Sequence, residues 1–434
     1  VKKRTGVAIL TTASMLALIA GCGSNSTAPA SKGVKGELEI QYFVGGYGDK
    51  WWKQIISEFE AANPGLKVKQ TAGSQINDQM KPRWIKGDPP DVVYIDGAGS
   101  NETQMVTDDQ LLDITDWIKD AKNVDGEKLV DQLFAKPKDY DGKNFTIPLV
   151  YGSWGTFYDI NFFKDNGWKV PTNFDEFMAV GKQIKDSGKG VFPYIHTGKY
   201  PYYISGGFLD SAIIAANGGD PSILVKIEKN EEGIYKSEPM RKALEKIVKM
   251  RDAGFIDPAS KAINHTDSQM LFLQHKDAFI PNGLWVQNEM GDNVPSGFDF
   301  GFIASLGIDP GQKSVVVPYT STMAIAKKAK NVEAAKAFVQ FIFTKQSAVK
   351  WAELSGVPMN YKADLESSKA GSMSKAAMKF FLDPGTITAP TVVPDKDVEE
   401  ARNNALVALT SGEIDVDKYI ERMEAAAKKA REKK

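Results

Sequence analysis

Apolar positions along residues 37 to 434 switch repeatedly between a period of two and a period near three and a half. Leu38, Ile40 and Tyr42 alternate with polar neighbours, the pattern of a half-buried strand. Gly45-Gly46-Tyr47-Gly48 reads as a turn, and Asp49 is placed to cap the helix that follows. On that helix Trp52, Ile55, Ile56 and Phe59 share one face. Asn63-Pro64-Gly65 ends it, and Leu66–Val68 opens a second strand. Gln75–Lys86 carries Ile76, Met80 and Trp84 at four-residue steps until Gly87-Asp88-Pro89-Pro90 breaks the pattern. Val92, Val93 and Ile95 form a nearly unbroken apolar run, as in a sheet covered on both faces. The same grammar predicts strands at Gly155–Tyr158 and Asp277–Pro281, and helices over Asn173–Ser187 and Asn331–Leu354. No short-period repeat interrupts it, which excludes a solenoid. The economical architecture is α/β, with open, mostly parallel sheets flanked by helices.

The N-terminus follows a different rule. Lys2, Lys3 and Arg4 precede an apolar stretch from Val7 to Ala20. A membrane-spanning helix needs roughly 20 apolar residues, so residues 1–21 read as a secretory signal peptide. Ile19-Ala20-Gly21-Cys22 resembles the lipobox of bacterial lipoproteins. The resemblance implies acylation of Cys22, and a protein lipid-anchored to the outer face of the bacterial cell membrane. The alternative is a free thiol beside an ordinary cleavage site. Residues 22–36 are small and polar, a flexible tether with a root-mean-square reach of ~20 Å. Cys22 is the only cysteine, so no intramolecular disulfide is available.

Composition narrows the function classes. The chain is 42% apolar and 25% charged, ordinary for a globular protein of two or three domains. Its net charge of −1 becomes more negative once Lys2, Lys3 and Arg4 are removed, which argues against nucleic acid as partner. The basic run Lys428, Lys429, Arg431, Lys433 and Lys434 reads as a solvated helix end. His196, His265 and His275 lack metal-pair spacing, no Gly-x-Ser-x-Gly elbow occurs, and Gly45–Gly48 fits no phosphate-binding loop. No catalytic residue, metal site or cofactor is therefore assigned. A surface-anchored glycan-hydrolysing enzyme remains the competing class, because a glycosidase needs only two placed carboxylates.

Several segments, in order, resemble the extracellular solute-binding proteins of carbohydrate ABC importers, the group that includes maltose-binding protein. They are Glu58–Gly65, Gly87–Val93, Ile147-Pro148-Leu149 with Phe157-Tyr158-Asp159, Ala216–Asp220, Gly283-Leu284-Trp285 and Ser355–Pro358. The resemblance covers nearly all of residues 37 to 434. It implies a two-lobed periplasmic-binding-protein-like fold of type II with the ligand cleft at the hinge. Lobe one would hold 37–150 and 307–360, and lobe two 151–306 and 361–434. The crossings would lie near 148–153, 303–309 and 360. It further implies a monomer that closes around a sugar and delivers it to the transmembrane subunits of an ABC permease. Val44–Asp49 and Thr197–Tyr203 are similar to a subgroup binding N-acetylglucosamine and diacetylchitobiose. That makes chito-oligosaccharide the leading ligand over other oligosaccharides.

Sugar sites pair aromatic platforms with dense polar groups, a special case of the apolar pocket with placed donors and acceptors. Trp52 and Trp84 continue apolar helical stripes, and Trp117 lies beside Leu111, Leu112 and Ile114, so all three read as core. Trp51 stays undecided between core and site. Trp285 follows Asn282 and Gly283 at a strand end, where α/β sheets bind ligands. It also matches a sugar-stacking tryptophan of the family. Tyr47, Asp96, Trp154 and Tyr202 are further candidates, with Tyr203 beside the last. Asn217 and Asn288 are amide candidates, and Tyr319 and Thr320 come from an expected returning strand.

Overall fold

A computed structural model describes residues 33–433; the expected signal segment, Cys22 and most of the tether lie outside the described residues. Among the described residues, nine strands carry the architecture: β1 (Gly36–Phe43), β2 (Leu66–Gly73), β3 (Val92–Ile95), β4 (Thr146–Asp159), β5 (Phe192–Tyr194), β6 (Asp277–Gly283), β7 (Phe300–Ile303), β8 (Val315–Ile325) and β9 (Ile387–Thr388). They run in the order β2-β1-β3-β8-β4-β6-β5, with β7 beside β4 and β9 beside β8. The α/β class expected from the alternation is what the chain adopts. Its sheet is mixed, however, and not mostly parallel. β1–β2, β1–β3, β5–β6 and β8–β9 are parallel, whereas β8 runs antiparallel to β3 and β4, and β4 antiparallel to β6 and β7.

The expected strand at Gly155–Tyr158 is the end of the 14-residue β4. β4 pairs with β8 from Thr146↔Ala324 to Trp154↔Val317, and the register shifts between Pro148 and Val150. Such an irregularity bends a strand locally.

Two large apolar clusters flank this ribbon. The first gathers Leu38, Ile40, Trp52, Phe59, Phe338 and Trp351, and continues through Leu284 and Phe300. The second gathers Phe177, Ile213, Leu244, Ile247, Tyr419 and Met423. Leu306, Ile308 and Val315 belong to the second cluster, and the Lys246 ammonium donates to the Gly307 carbonyl (2.7 Å) and reaches Asp309 (2.6 Å). Tyr361, Ala363 and Ala377 pack in the first cluster and Ala389 in the second.

Local signals decide the helix ends. Asp49 precedes the helix Lys50–Ala62, but its carboxylate pairs with Lys53 (2.6 Å) and caps no backbone N–H. The helix expected over Asn331–Leu354 is two, Val332–Ile342 and Lys345–Ser355. Thr344 interrupts it, its hydroxyl accepting the Ser347 N–H (3.2 Å) as an N-cap. The tryptophans divide accordingly. Trp52 is buried and stacks on Tyr42 at 4.8 Å. Trp51 is also core, edge-on to Trp351 at 4.9 Å with its N–H donated to the Ser347 carbonyl. Trp84 and Trp117 are only half-buried; Trp84 donates to Gln41 (3.0 Å), and Lys336 lies over the Trp117 ring.

Candidate binding cleft

Strand ends converge on a single cavity. β1 ends at Phe43 and gives way to the turn that carries Gly46 and Tyr47; β3 ends at Ile95, followed by Asp96. β6 ends at Gly283, and Trp285 heads the short helix Val286–Met290. Trp154 lies in β4 opposite Gly283, and β8 brings Tyr319, Thr320 and Ser321. Together with Glu289 these residues line about 340 Å³. The position, beyond the carboxyl ends of β1, β3 and β6, is where open α/β sheets take ligands. A second groove of about 260 Å³ lies between the helix Ile76–Lys86 and residues 99–110, with Trp84 in its wall. It sits against the sheet face at Val93 and Ile95 and does not draw on β4, β6 or β8.

The cavity's aromatic rings stand nearly at right angles. Trp154 and Trp285 meet at 4.8 Å between centroids and 85° between planes. Trp285 and Tyr319 meet at 4.9 Å and 64°. Edge-to-face geometry matches the ring quadrupoles, and it offers a ligand both a face and an edge. Three glycines make the arrangement possible. A Cβ on Gly283 would lie 2.0 Å from the Trp285 ring, one on Gly152 2.0 Å from Tyr319, and one on Gly206 2.6 Å from Trp154. Each ring thus rests against bare backbone. Gly206 lies in the π-helical turn Ser205–Leu209, a distortion that recurs at functional sites.

Polar groups complete the lining. Asp96 accepts the Ser321 hydroxyl (3.0 Å), and burial pushes its carboxyl above the usual range against the pull of that bond. Burial, reinforced by neighbouring hydroxyls and Asp96, raises Tyr47 and Tyr94 well above an ordinary phenol, and burial likewise raises Tyr319. The Tyr94 and Tyr319 hydroxyls are buried with no hydrogen-bond partner among the described residues. Glu289 accepts from the Gln269 amide (2.8 Å) and lies 3.4 Å from the His265 ring.

Six of the nine candidates from the sequence meet in this cavity: Tyr47, Asp96, Trp154, Trp285, Tyr319 and Thr320. Tyr202 stands outside its lining, 6.0 Å from the Trp154 ring and 40% exposed. Asn217 is not brought there. It ends the helix Asp210–Ala216, and its amide donates back to the Asp220 carbonyl (2.9 Å). Asn288 points elsewhere too, donating to the Ser355 carbonyl. The reason is helical phase: Trp285 and Glu289 are one turn apart, joined by a 2.9 Å backbone bond, and share a face that Asn288 does not. Glu289 was therefore missed although its four-residue spacing from Trp285 signalled it. Phe43, Gly46 and Ser321 were also missed. They flank chosen positions, and only the tertiary pairing of strand ends selects them.

No group of three or more metal-ligating side chains occurs among the described residues, and no helix there is long and apolar enough to cross a membrane. Buried His196 has its pKa pushed down to about 4 by desolvation. Asp277 is pushed up to about 8, first by burial and then by Asp257 beside it. It begins β6, whose opposite end meets the cleft.

Residues 45–349 match the family described as bacterial extracellular solute-binding protein. The diacetylchitobiose binding protein NgcE of Streptomyces coelicolor is 24% identical over 374 residues, 84% of this chain and 76% of that protein. The multiple sugar-binding protein of Streptococcus mutans is 24% identical over 361 residues, 81% of each. RafE from Streptococcus pneumoniae in its apo form superposes with a TM-score of 0.69 at 20% identity, covering 91% of this chain and 98% of that one. RafE in complex with raffinose gives 0.64 at 20% identity, over 89% and 98%. The fold is thus that of these binding proteins. Binding without catalysis is the family's role, although two carboxylates line the cavity. The chain belongs to the bacterial extracellular solute-binding protein family.

Proposed function

We propose that this protein captures a chito-oligosaccharide outside the cell, closes its two lobes around it, and presents it to an ABC permease. The observation that carries the sugar reading is the right-angled pair Trp154 and Trp285, seated on glycines and sharing the cavity with Asp96, Glu289, Thr320 and Ser321. Pyranose C–H faces pack on such rings, while sugar hydroxyls need the acceptors and donors around them. Gly46 and Tyr47, within the segment similar to the N-acetylglucosamine-binding subgroup, line the cavity. Tyr202 and Tyr203, within the second such segment, abut Trp154 at 6.0 and 5.3 Å. Two relatives of equal identity carry different sugar names, so this juxtaposition, and not overall similarity, supports chitin-derived sugars.

Lobe closure follows from a ligand that touches both sides. Gly46, after β1, lies close enough that its Cβ would be 3.7 Å from the Cβ atoms of Trp285 and Glu289, after β6. These two segments already touch, so a sugar in the cavity that both line, contacting each of them, favours the closed state by its differential affinity. Anchoring through Cys22 would hold the receptor near its permease. Cys22→Ser is expected to release it from the membrane in detergent-free fractionation with ligand affinity intact; retention would refute the anchor.

The function is tested by incubating the protein with chito-oligosaccharides and analysing bound and free sugar by mass spectrometry. Bound sugar of unchanged length is the expected result. Shortened products would instead establish the hydrolase, and sugar absent from the protein fraction would remove this ligand.

A further inference from the structure

The cavity lies beyond the carboxyl ends of β1 and β3; the amino ends of the same strands carry a different surface. β1 runs from Gly36 to Phe43, which separates the two ends by about 25 Å at roughly 3.3 Å per residue. Four segments meet at the amino end. The Gly36 N–H donates to the Gly65 carbonyl (2.9 Å), and the Asn331 amide donates to the carbonyls of Lys35 (2.9 Å) and Glu37 (3.1 Å). The Lys330 ammonium reaches Asp88 (2.7 Å). Lys328 approaches Gly87 so closely that a Cβ there would sit 2.5 Å from its Nζ. Gly87 caps the helix Ile76–Lys86, so Ile85 and Lys86 in its last turn belong to the same end.

Ile85 is 82% exposed, the most exposed large apolar side chain among the described residues. The half-buried Trp84 precedes it, and both line two adjoining grooves of about 260 and about 230 Å³. The charges around them are not all paired. Lys327 pairs with Asp109 and Lys330 with Asp88, and Asp108 accepts from the Gln104 amide (2.7 Å). Glu37 faces Lys67 across the β1–β2 register. Lys35, Lys86 and Lys328 are exposed and form no ion pair among the described residues. A single exposed isoleucine needs no explanation. Set beside a tryptophan and unpaired lysines, it has the composition of a membrane-surface patch.

The chain itself says what this end faces. Val34 packs against the first apolar cluster, and its N–H donates to Asn63 (3.1 Å). Cys22 stands only twelve positions earlier, so a tether over those residues holds this end within ~20 Å of a lipid anchor.

We propose that this end of the protein docks on an anionic phospholipid bilayer, with Ile85 entering the interface and Lys35, Lys86 and Lys328 meeting headgroup phosphates. The proposal rests on the reading of Cys22 as the anchor. A tether this short puts the patch at an effective concentration on the order of millimolar, so weak contacts suffice once the chain is anchored. They do not retain an unanchored chain. Docked in this way, the cavity at the far ends of β1 and β3 points away from the bilayer, toward arriving sugar.

Vesicles test this with the anchor imposed chemically. The mature chain is coupled through the Cys22 thiol to maleimide-bearing lipid in phosphatidylcholine vesicles, with or without phosphatidylglycerol. The readout is quenching of tryptophan fluorescence by brominated acyl chains. Quenching is expected with phosphatidylglycerol, weakened at high salt, and small with phosphatidylcholine alone. It should be lost in Trp84→Phe and kept in Trp285→Phe, since the cleft faces away. Lys86→Gln and Lys328→Gln should each lower the docked-to-free ratio about 5-fold, and Ile85→Ser should lower it as well. Parental melting temperatures in these exposed-site variants exclude misfolding. Equal quenching on both lipids, no quenching on either, or quenching that survives both lysine variants overturns the docking face. So does a signal lost in Trp285→Phe and kept in Trp84→Phe. Because the coupling is chemical, none of these results bears on natural acylation, which stands or falls on the Cys22→Ser fractionation.

Discussion

Trp285 folds back over Gly283, two residues earlier, so that its six-membered ring occupies the space where any other residue would carry its Cβ, 2.0 Å away. That contact couples a strand terminus to the orientation of a cleft ring, which then stands edge-on to Trp154. The geometry of the proposed platform is therefore encoded partly in a residue with no side chain.

Replacing the ring tests the platform from one side. Trp285 is only half-buried, so Trp285→Ala removes ligand contact more than core packing. Lost stacking and lost apolar area together amount to about 2–4 kcal/mol, or roughly 30- to 1,000-fold weaker sugar binding. The melting temperature of the ligand-free variant should change by only a few degrees. Near-parental affinity with a collapsed melting temperature would make Trp285 a core residue.

Replacing its seat tests the same platform from the other side. Gly283→Ala removes no ligand-facing side chain but drives a methyl into the Trp285 ring and displaces it. Overpacking of this kind costs about 1–3 kcal/mol. Here it should appear mainly as an affinity loss of about 5-fold or more, with altered tryptophan fluorescence. An unchanged affinity and spectrum would mean that the ring's position is irrelevant to binding.

The lining carries Asp96 and Glu289 but no lysine or arginine. An anionic sugar would therefore meet like charge in a poorly solvated space. Uronic-acid oligosaccharides should bind at least about 10-fold more weakly than neutral ones of the same length, a difference of about 1.4 kcal/mol. The gap should narrow in Glu289→Gln. Equal affinity for neutral and anionic partners, measured by calorimetry at low salt, would contradict the arrangement.

Stability should respond to pH through two buried groups of opposite sign. Asp277, raised to about 8 by burial and Asp257, binds a proton more readily folded than unfolded. Its contribution thus destabilises the fold as pH rises toward 8 and is relieved as pH falls. His196, lowered to about 4, resists protonation in the fold, so stability is lost as pH falls from about 6.5 toward 4. Between about pH 6.5 and 8 only the Asp277 effect operates of these two. The melting temperature should therefore rise on going from pH 8 to 6.5, and Asp277→Asn should flatten that slope. A parental slope retained in the variant would assign it to other groups.

Local structure was largely legible in the sequence, because it depends on near neighbours. The alternation of Leu38, Ile40 and Tyr42 and the stripe from Trp52 to Phe59 became β1 and the helix Lys50–Ala62. The break at Thr344 was not read, since Ile342 and Phe343 keep the stripe apolar up to the cap. Antiparallel pairing of β4 with β8 joins residues about 170 positions apart, and no local period announces it. The cleft shows the same division. Trp285 stood out by its strand-end glycine. Asn217 and Asn288 looked equivalent as amides until backbone carbonyls at Asp220 and Ser355 claimed them. The glycine seats at residues 152 and 206 required knowing which ring lies opposite.

Isothermal titration of the purified protein with a panel of neutral saccharides tests the central claim most directly. The account predicts one-to-one binding of a chito-oligosaccharide, abolished or weakened at least 30-fold in Trp285→Ala, within the roughly 2–4 kcal/mol expected for that ring. Saccharide binding that is indifferent to Trp285, or no heat with any saccharide in the panel, would contradict it.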